Sequence, residues 1–159
     1  MVPPLVDPLK HHPTGVNAIS CGSASFCVLV GNGYIWHYDG TSVTYTRRDP
    51  HQSFTSVSCV ESGFCVASDA VGRAFQYQDG VWSKVLQPLH HGYGYVSCAT
   101  AAYCVLVNGS GKSSTWDGAT WSDPVRIHSH IGTVVGVSCP TEQCTALTST
   151  GSALLQPPS

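Results

Sequence analysis

Eight cysteines frame this chain. They stand at Cys21, Cys27, Cys59, Cys65, Cys98, Cys104, Cys139 and Cys144, as four close pairs whose first members lie 38, 39 and 41 residues apart. The flanking text repeats as well: Ile19-Ser20-Cys21, Val57-Ser58-Cys59, Val96-Ser97-Cys98 and Val137-Ser138-Cys139. A period near forty residues means a solenoid, an array or a propeller. Within the first repeat, Val16 to Cys21 reads as strand a and Phe26 to Val30 as strand b. Gly31-Asn32-Gly33 then turns the chain into strand c, Tyr34 to Tyr38. Asp39-Gly40 is a strong hairpin signal, and strand d follows from Ser42 to Arg47. The pattern returns with Gly72, Asp79-Gly80 and Trp82, then with Gly109, Gly111, Asp117-Gly118 and Trp121. Four short strands per forty residues make the blade of a β-propeller. The helical periodicity of tetratricopeptide, ankyrin or armadillo units is absent.

The fourth repeat has strands a and b and a candidate c, Ser152 to Gln156, but no Asp-Gly and no strand d. The N-terminal text Leu5-Val6-Asp7-Pro8-Leu9-Lys10-His11-His12 matches Val85-Leu86-Gln87-Pro88-Leu89-His90-His91, the end of strand d in repeat two. An N-terminal strand would therefore complete blade four and remove an exposed sheet edge. The expected fold is all-β: one four-bladed propeller over residues 1–159, with blades at about 16–48, 54–89, 93–128 and 134–156 plus 3–10. An open array that dimerises into an eight-bladed ring is the alternative; a closed monomer is favoured.

Each cysteine pair spans an a–b hairpin, where facing residues of antiparallel strands come within about 4.5–5.5 Å between Cα atoms. That is disulfide range. Four local bridges, Cys21–Cys27, Cys59–Cys65, Cys98–Cys104 and Cys139–Cys144, would add about 2 kcal/mol each by constraining the unfolded chain. Structural zinc would instead gather cysteines in fours. Disulfides imply an oxidising compartment, so the protein is expected to be secreted or at the cell surface. No export signal precedes Val2, which implies that one was removed or that Met1 is an expression start. Only 10% of residues are charged and the net charge is −2, a poor footprint for nucleic acid. No apolar run is long enough for a membrane-spanning helix.

The run of Ser-Cys, five residues, Cys-Val, then Gly, Asp-Gly and Trp resembles a propeller-like repeat of secreted and cell-surface proteins of actinobacteria. The overall plan is also similar to the four-bladed hemopexin-type domain. These resemblances imply architecture and leave activity open, since one fold serves many functions.

Catalytic motifs are scarce. Ser20, Ser58, Ser97 and Ser138 stand where strands a converge on the axis and small side chains fit, and none lies in a G-x-S-x-G elbow. Glu61 and Glu142 lie on a–b turns, while Asp39, Asp79 and Asp117 belong to c–d turns. No two carboxylates flank one site as a glycosidase requires. Trp36, Trp82, Trp116 and Trp121 are assigned to packing between blades.

The histidines carry the functional expectation. Seven of eight fall in the d–a connections, and His37 lies on strand c. His12 and His130 precede the next Ser-Cys cysteine by nine residues, and His51 and His90 by eight. Near-equivalent positions around one axis predict a site at the channel mouth on the d–a face. Four imidazoles there would suit copper, zinc, iron or nickel. His11, His91 and His128 are the alternates, and Asp49 and Gln52 are candidate acceptors for the His51 ring. A metal so held would support an oxygenase, lyase or hydrolase. The competing reading is a binding module without catalysis, lectin-like or protein-binding. It would take a small-molecule or glycan ligand at the channel mouth, against Arg48, Tyr93 and Tyr95.

Overall fold

A computed structural model of the chain describes residues 15–49, 51–85, 88–127 and 132–155. They form four antiparallel sheets, each wound in sequence order. Blade one holds β1 (Val16–Ser23), β2 (Phe26–Gly31), β3 (Tyr34–Tyr38) and β4 (Val43–Arg47). Blade two holds β5 (Phe54–Cys59), β6 (Cys65–Asp69), β7 (Ala74–Gln78) and β8 (Val81–Val85). Blade three holds β9 (Gly94–Thr100), β10 (Tyr103–Asn108), β11 (Lys112–Trp116) and the short β12 (Val125–Arg126). Blade four holds β13 (Val134–Ser138), β14 (Cys144–Thr148) and β15 (Gly151–Leu155). The candidate closing strand at 3–10 lies outside the described residues, as does Gln156. Among the described residues no helix is long and apolar enough to cross a membrane.

All four expected disulfides are present. Cys21 pairs directly with Cys27, Cys59 with Cys65 and Cys98 with Cys104 in the hairpin registers. The bridged Cα atoms lie 3.9 to 4.2 Å apart.

The Asp-Gly turns divide into two kinds. Gln78 pairs with Val81 around a two-residue loop, with Asp79 at φ 51° and Gly80 at φ 84°. That is the tight hairpin the sequence suggests. In blades one and three the loop is longer, because the carboxylate builds it. Asp39 Oδ1 accepts from the backbone N–H of Thr41 and Ser42, and Ser42 therefore lies in the turn rather than in strand d. Asp117 does the same for Ala119 and Thr120. These bonds hold both carboxyls below the usual range, with the Ser42 N–H leading for Asp39 and the Thr120 N–H for Asp117.

Three apolar clusters fill the spaces between blades. Val28, Val30 and Ile35 of blade one meet Phe54, Val57, Ala67 and Phe75 of blade two. Phe64 and Val66 of blade two meet Val96, Leu106 and Trp116 of blade three. Val105 and Val107 of blade three meet Val134 and Ala146 of blade four. Strands β6 and β10 are buried along their whole length because both faces are covered. Trp36 and Trp116 are buried, in keeping with a packing role.

The serines before the first cysteines have a definite task. Ser20 Oγ accepts from the Cys59 N–H at 2.9 Å, Ser58 Oγ from the Cys98 N–H at 2.9 Å, and Ser97 Oγ from the Cys139 N–H at 3.0 Å. Each bond crosses from one blade to the next beside a disulfide. Ser58→Ala would leave the Cys98 N–H without its partner. The expected result is a loss of about 1–2 kcal/mol, read as a lower urea midpoint at unchanged slope.

Candidate ligand-binding cleft

A wide concavity lies on the a–b face. It measures about 660 Å³ and touches all four blades through Cys21, Cys59, Cys98 and Cys139. Its lining is disulfides and small residues such as Gly22, Ser62 and Ala99, with Glu61 as its charged group. Few side chains reach into this space, so it offers little chemistry for selecting a ligand.

The d–a and b–c face carries a second cleft, of about 390 Å³, lined by Asn17, Asn32, Ser53, Thr55, Tyr93 and Tyr95. It draws on blades one, two and three. Two β-bulges help to build it. The register of β1 slips between Val16 and Ala18, and that of β5 between Phe54 and Ser56. A bulge re-aims the extra residue. Asn17 Nδ2 accordingly donates to the Phe54 carbonyl at 2.8 Å, and Thr55 Oγ1 to the Gly94 carbonyl at 2.6 Å. Asn32 Oδ1 accepts from Ser53 Oγ at 2.9 Å and from Asn17 Nδ2 at 3.3 Å. The floor is thus a fixed network of amides and hydroxyls without a charged group. Tyr93 stands over it 62% exposed, while Tyr95 is half-buried.

Two residues picked out from the sequence, Tyr93 and Tyr95, line this cleft. Arg48 does not; it is half-buried, and its N–H donates to the Gly33 carbonyl. His51, His90 and His91 are all exposed. His11, His12, His128 and His130 lie outside the described residues, so the four-histidine set is represented only by His51 and His90. Among the described residues no three His, Cys, Asp or Glu side chains gather to hold a metal. Asp49 Oδ1 accepts from the backbone N–H of His51, and Gln52 is buried. Sequence reasoning missed Asn17, Asn32, Ser53 and Thr55. The available signal was polarity four residues before the cysteine, at Asn17 and Thr55, where a strand facing a packed blade would be apolar.

No protein-family model matches the sequence, and no curated protein matches it. Solved structures do. The computationally designed Ika4 protein is similar at a TM-score of 0.73 and 14% identity, over 94% of this chain and 95% of that one. YCF48 bound to D1 peptide is similar at 0.66 and 19%, over 92% of this chain and 54% of that one. The computationally designed Ika8 protein is similar at 0.70 and 14%, over 91% and 46%. The fold is a β-propeller. The chain spans about half the length of YCF48 and of Ika8.

His37, the histidine outside the loops, joins two blades. Its Nε2 accepts from the Trp82 indole N–H at 3.0 Å, and its ring lies 4.9 Å from that of Tyr77. An indole nitrogen only donates, so His37 is neutral with its proton on Nδ1. Burial pushes the ring below its ordinary 6.5. The unfolded chain therefore binds the proton more readily. The contribution of His37 to stability is complete above pH 6.5 and is lost as pH falls through the folded-state value. Denaturant titrations from pH 7.5 down to 5 should show this fall, and His37→Phe should flatten it.

Proposed function

We propose that this propeller is a binding module without catalysis, and that it takes an extended, uncharged peptide segment of another protein across the Tyr93–Tyr95 cleft. One observation carries the reading: an exposed tyrosine stands over a preordered, charge-free floor of Asn17, Asn32, Ser53 and Thr55. Amide and hydroxyl groups there can exchange hydrogen bonds with a peptide backbone, while the tyrosine ring packs on a side chain. Fixed partners on the floor lower the ordering cost on binding. YCF48, a propeller of similar fold, has been solved bound to a peptide, which supports the same use of this architecture. Four disulfides suit an oxidising compartment, so the partner is sought among secreted or surface proteins.

The test is selection of a displayed random peptide library on the immobilised protein, beside a glycan array. Peptides retained by the parent should lose at least about tenfold in affinity on Tyr93→Ala, as for an exposed aromatic anchor. Asn32→Ala should weaken them further, and Arg48→Ala should not. Retention that ignores Tyr93→Ala, or glycans bound in place of peptides, would overturn the reading. Ligation of a transition metal by His12, His51, His90 and His130 is a separate proposal. It rests on loop position and on the exposure of His51 and His90. Saturable one-to-one binding of copper or zinc at pH 7.5, lost on His51→Ala, would establish it.

A further inference from the structure

The three interfaces inside the chain use one set of positions. On strand a, the residue before the serine faces the preceding blade: Val57 and Val96 are buried in this way, and Val137 packs into the third cluster. On strand b, the first and third residues after the cysteine face the following blade: Val28 and Val30, Val66 and Ser68, Val105 and Val107 are all buried. At the ends of the chain both halves of this interface lie open. Ile19, the counterpart of Val57, is 61% exposed on blade one. Leu147, the counterpart of Val30 and Val107, is 55% exposed on blade four, and Thr145 beside it is exposed too. Val135, at the bulge of β13, is 46% exposed where Asn17 and Thr55 reach a following blade. Cys21 is exposed while Cys98 and Cys139 are buried. Among the described residues, Ser138 makes none of the bonds by which Ser20, Ser58 and Ser97 hold the next blade.

We propose that a second copy of this chain covers both end faces, the two copies closing head to tail into one ring of eight blades. The two ends are the complementary halves of an interface that the chain already builds three times. Leu147 of one copy would meet Ile19 of the other, and Ser138 would accept from the Cys21 N–H across the junction. Each junction joins two different surfaces, and a two-fold rotation makes a second, identical junction, so neither end is left exposed. The cavity beside the four bridges would then be part of a central channel shared by both copies. The proposal is independent of the peptide reading.

Sedimentation velocity of the parent at about 10 μM should give twice the chain mass of 16.8 kDa. Ile19→Asp and Leu147→Asp should each sediment at the single mass with the parent's far-ultraviolet spectrum. Ser138→Ala, a milder change, should raise the dissociation constant by about tenfold. The double variant Ile19→Cys/Leu147→Cys should give a covalent dimer in which position 19 of one copy is linked to position 147 of the other. A parent at the single mass, a link formed within one chain, or a dimer indifferent to all three single substitutions would overturn the proposal.

Discussion

Everything in this fold depends on how one blade is held to the next beside the axis. A hairpin of two strands and five or six residues has no core of its own. The disulfide fixes its shape, and the serine next to its first cysteine fixes its neighbour, because Ser20, Ser58 and Ser97 each reach the backbone N–H of the following blade's first cysteine. One position thus sets the distance and register between blades, while the adjacent apolar residue fills the space between them. Val57, Val96 and Val137 do the second job. The dipeptide before each cysteine carries both instructions, which is why Ser-Cys with a preceding Val or Ile recurs in every repeat.

A serine hydroxyl is suited to this place for a physical reason. The edge of each strand a presents a backbone donor to the neighbouring blade. A buried donor without a partner is costly. A short side chain that accepts satisfies it without forcing the blades apart, whereas alanine would leave the donor unpaired. The same reasoning accounts for Asp69 and Asn108 at the ends of β6 and β10, while Thr148 at the end of β14 instead donates to the Gly151 carbonyl. All three are buried, and Asp69 and Asn108 turn an oxygen onto backbone N–H groups of the following turn.

The sequence made the contents of a blade legible and the relation between blades much less so. Cysteine spacing gave the bridges, and Gly-Asn-Gly and Asp-Gly gave the turns, since each depends on residues a few positions apart. The identical Asp-Gly text hid two different turns. The longer turns have hydroxyls after the dipeptide, at Ser42 and Thr120, that donate to the carboxylate, and that competition is not visible in the dipeptide itself. The rotation from one blade to the next is harder still. It follows from side-chain volumes on two facing sheets, and a small difference at each junction accumulates over four blades. Matching terminal text points to a strand that completes blade four, but text of that kind carries no information about the exposed faces at Ile19 and Leu147.

The same contrast separates architecture from recognition. Features that repeat in every blade are those the ring needs: the bridge, the hydroxyl, the apolar residue behind it. A ligand site on such a scaffold must come from positions where the repeats disagree. The bulge position is Asn17 in blade one, Thr55 in blade two and Val135 in blade four, so equivalent backbone presents an amide, a hydroxyl and an aliphatic group. Tyr93 and Tyr95 have no counterpart tyrosines before Cys59 or Cys139. The histidines, in contrast, recur in the connecting loops, and recurrence is what copying of a repeat produces without any selection for a ligand. Weight therefore shifts from the repeated imidazoles to the unrepeated Asn17, Thr55 and Tyr93, whose side chains face one cleft.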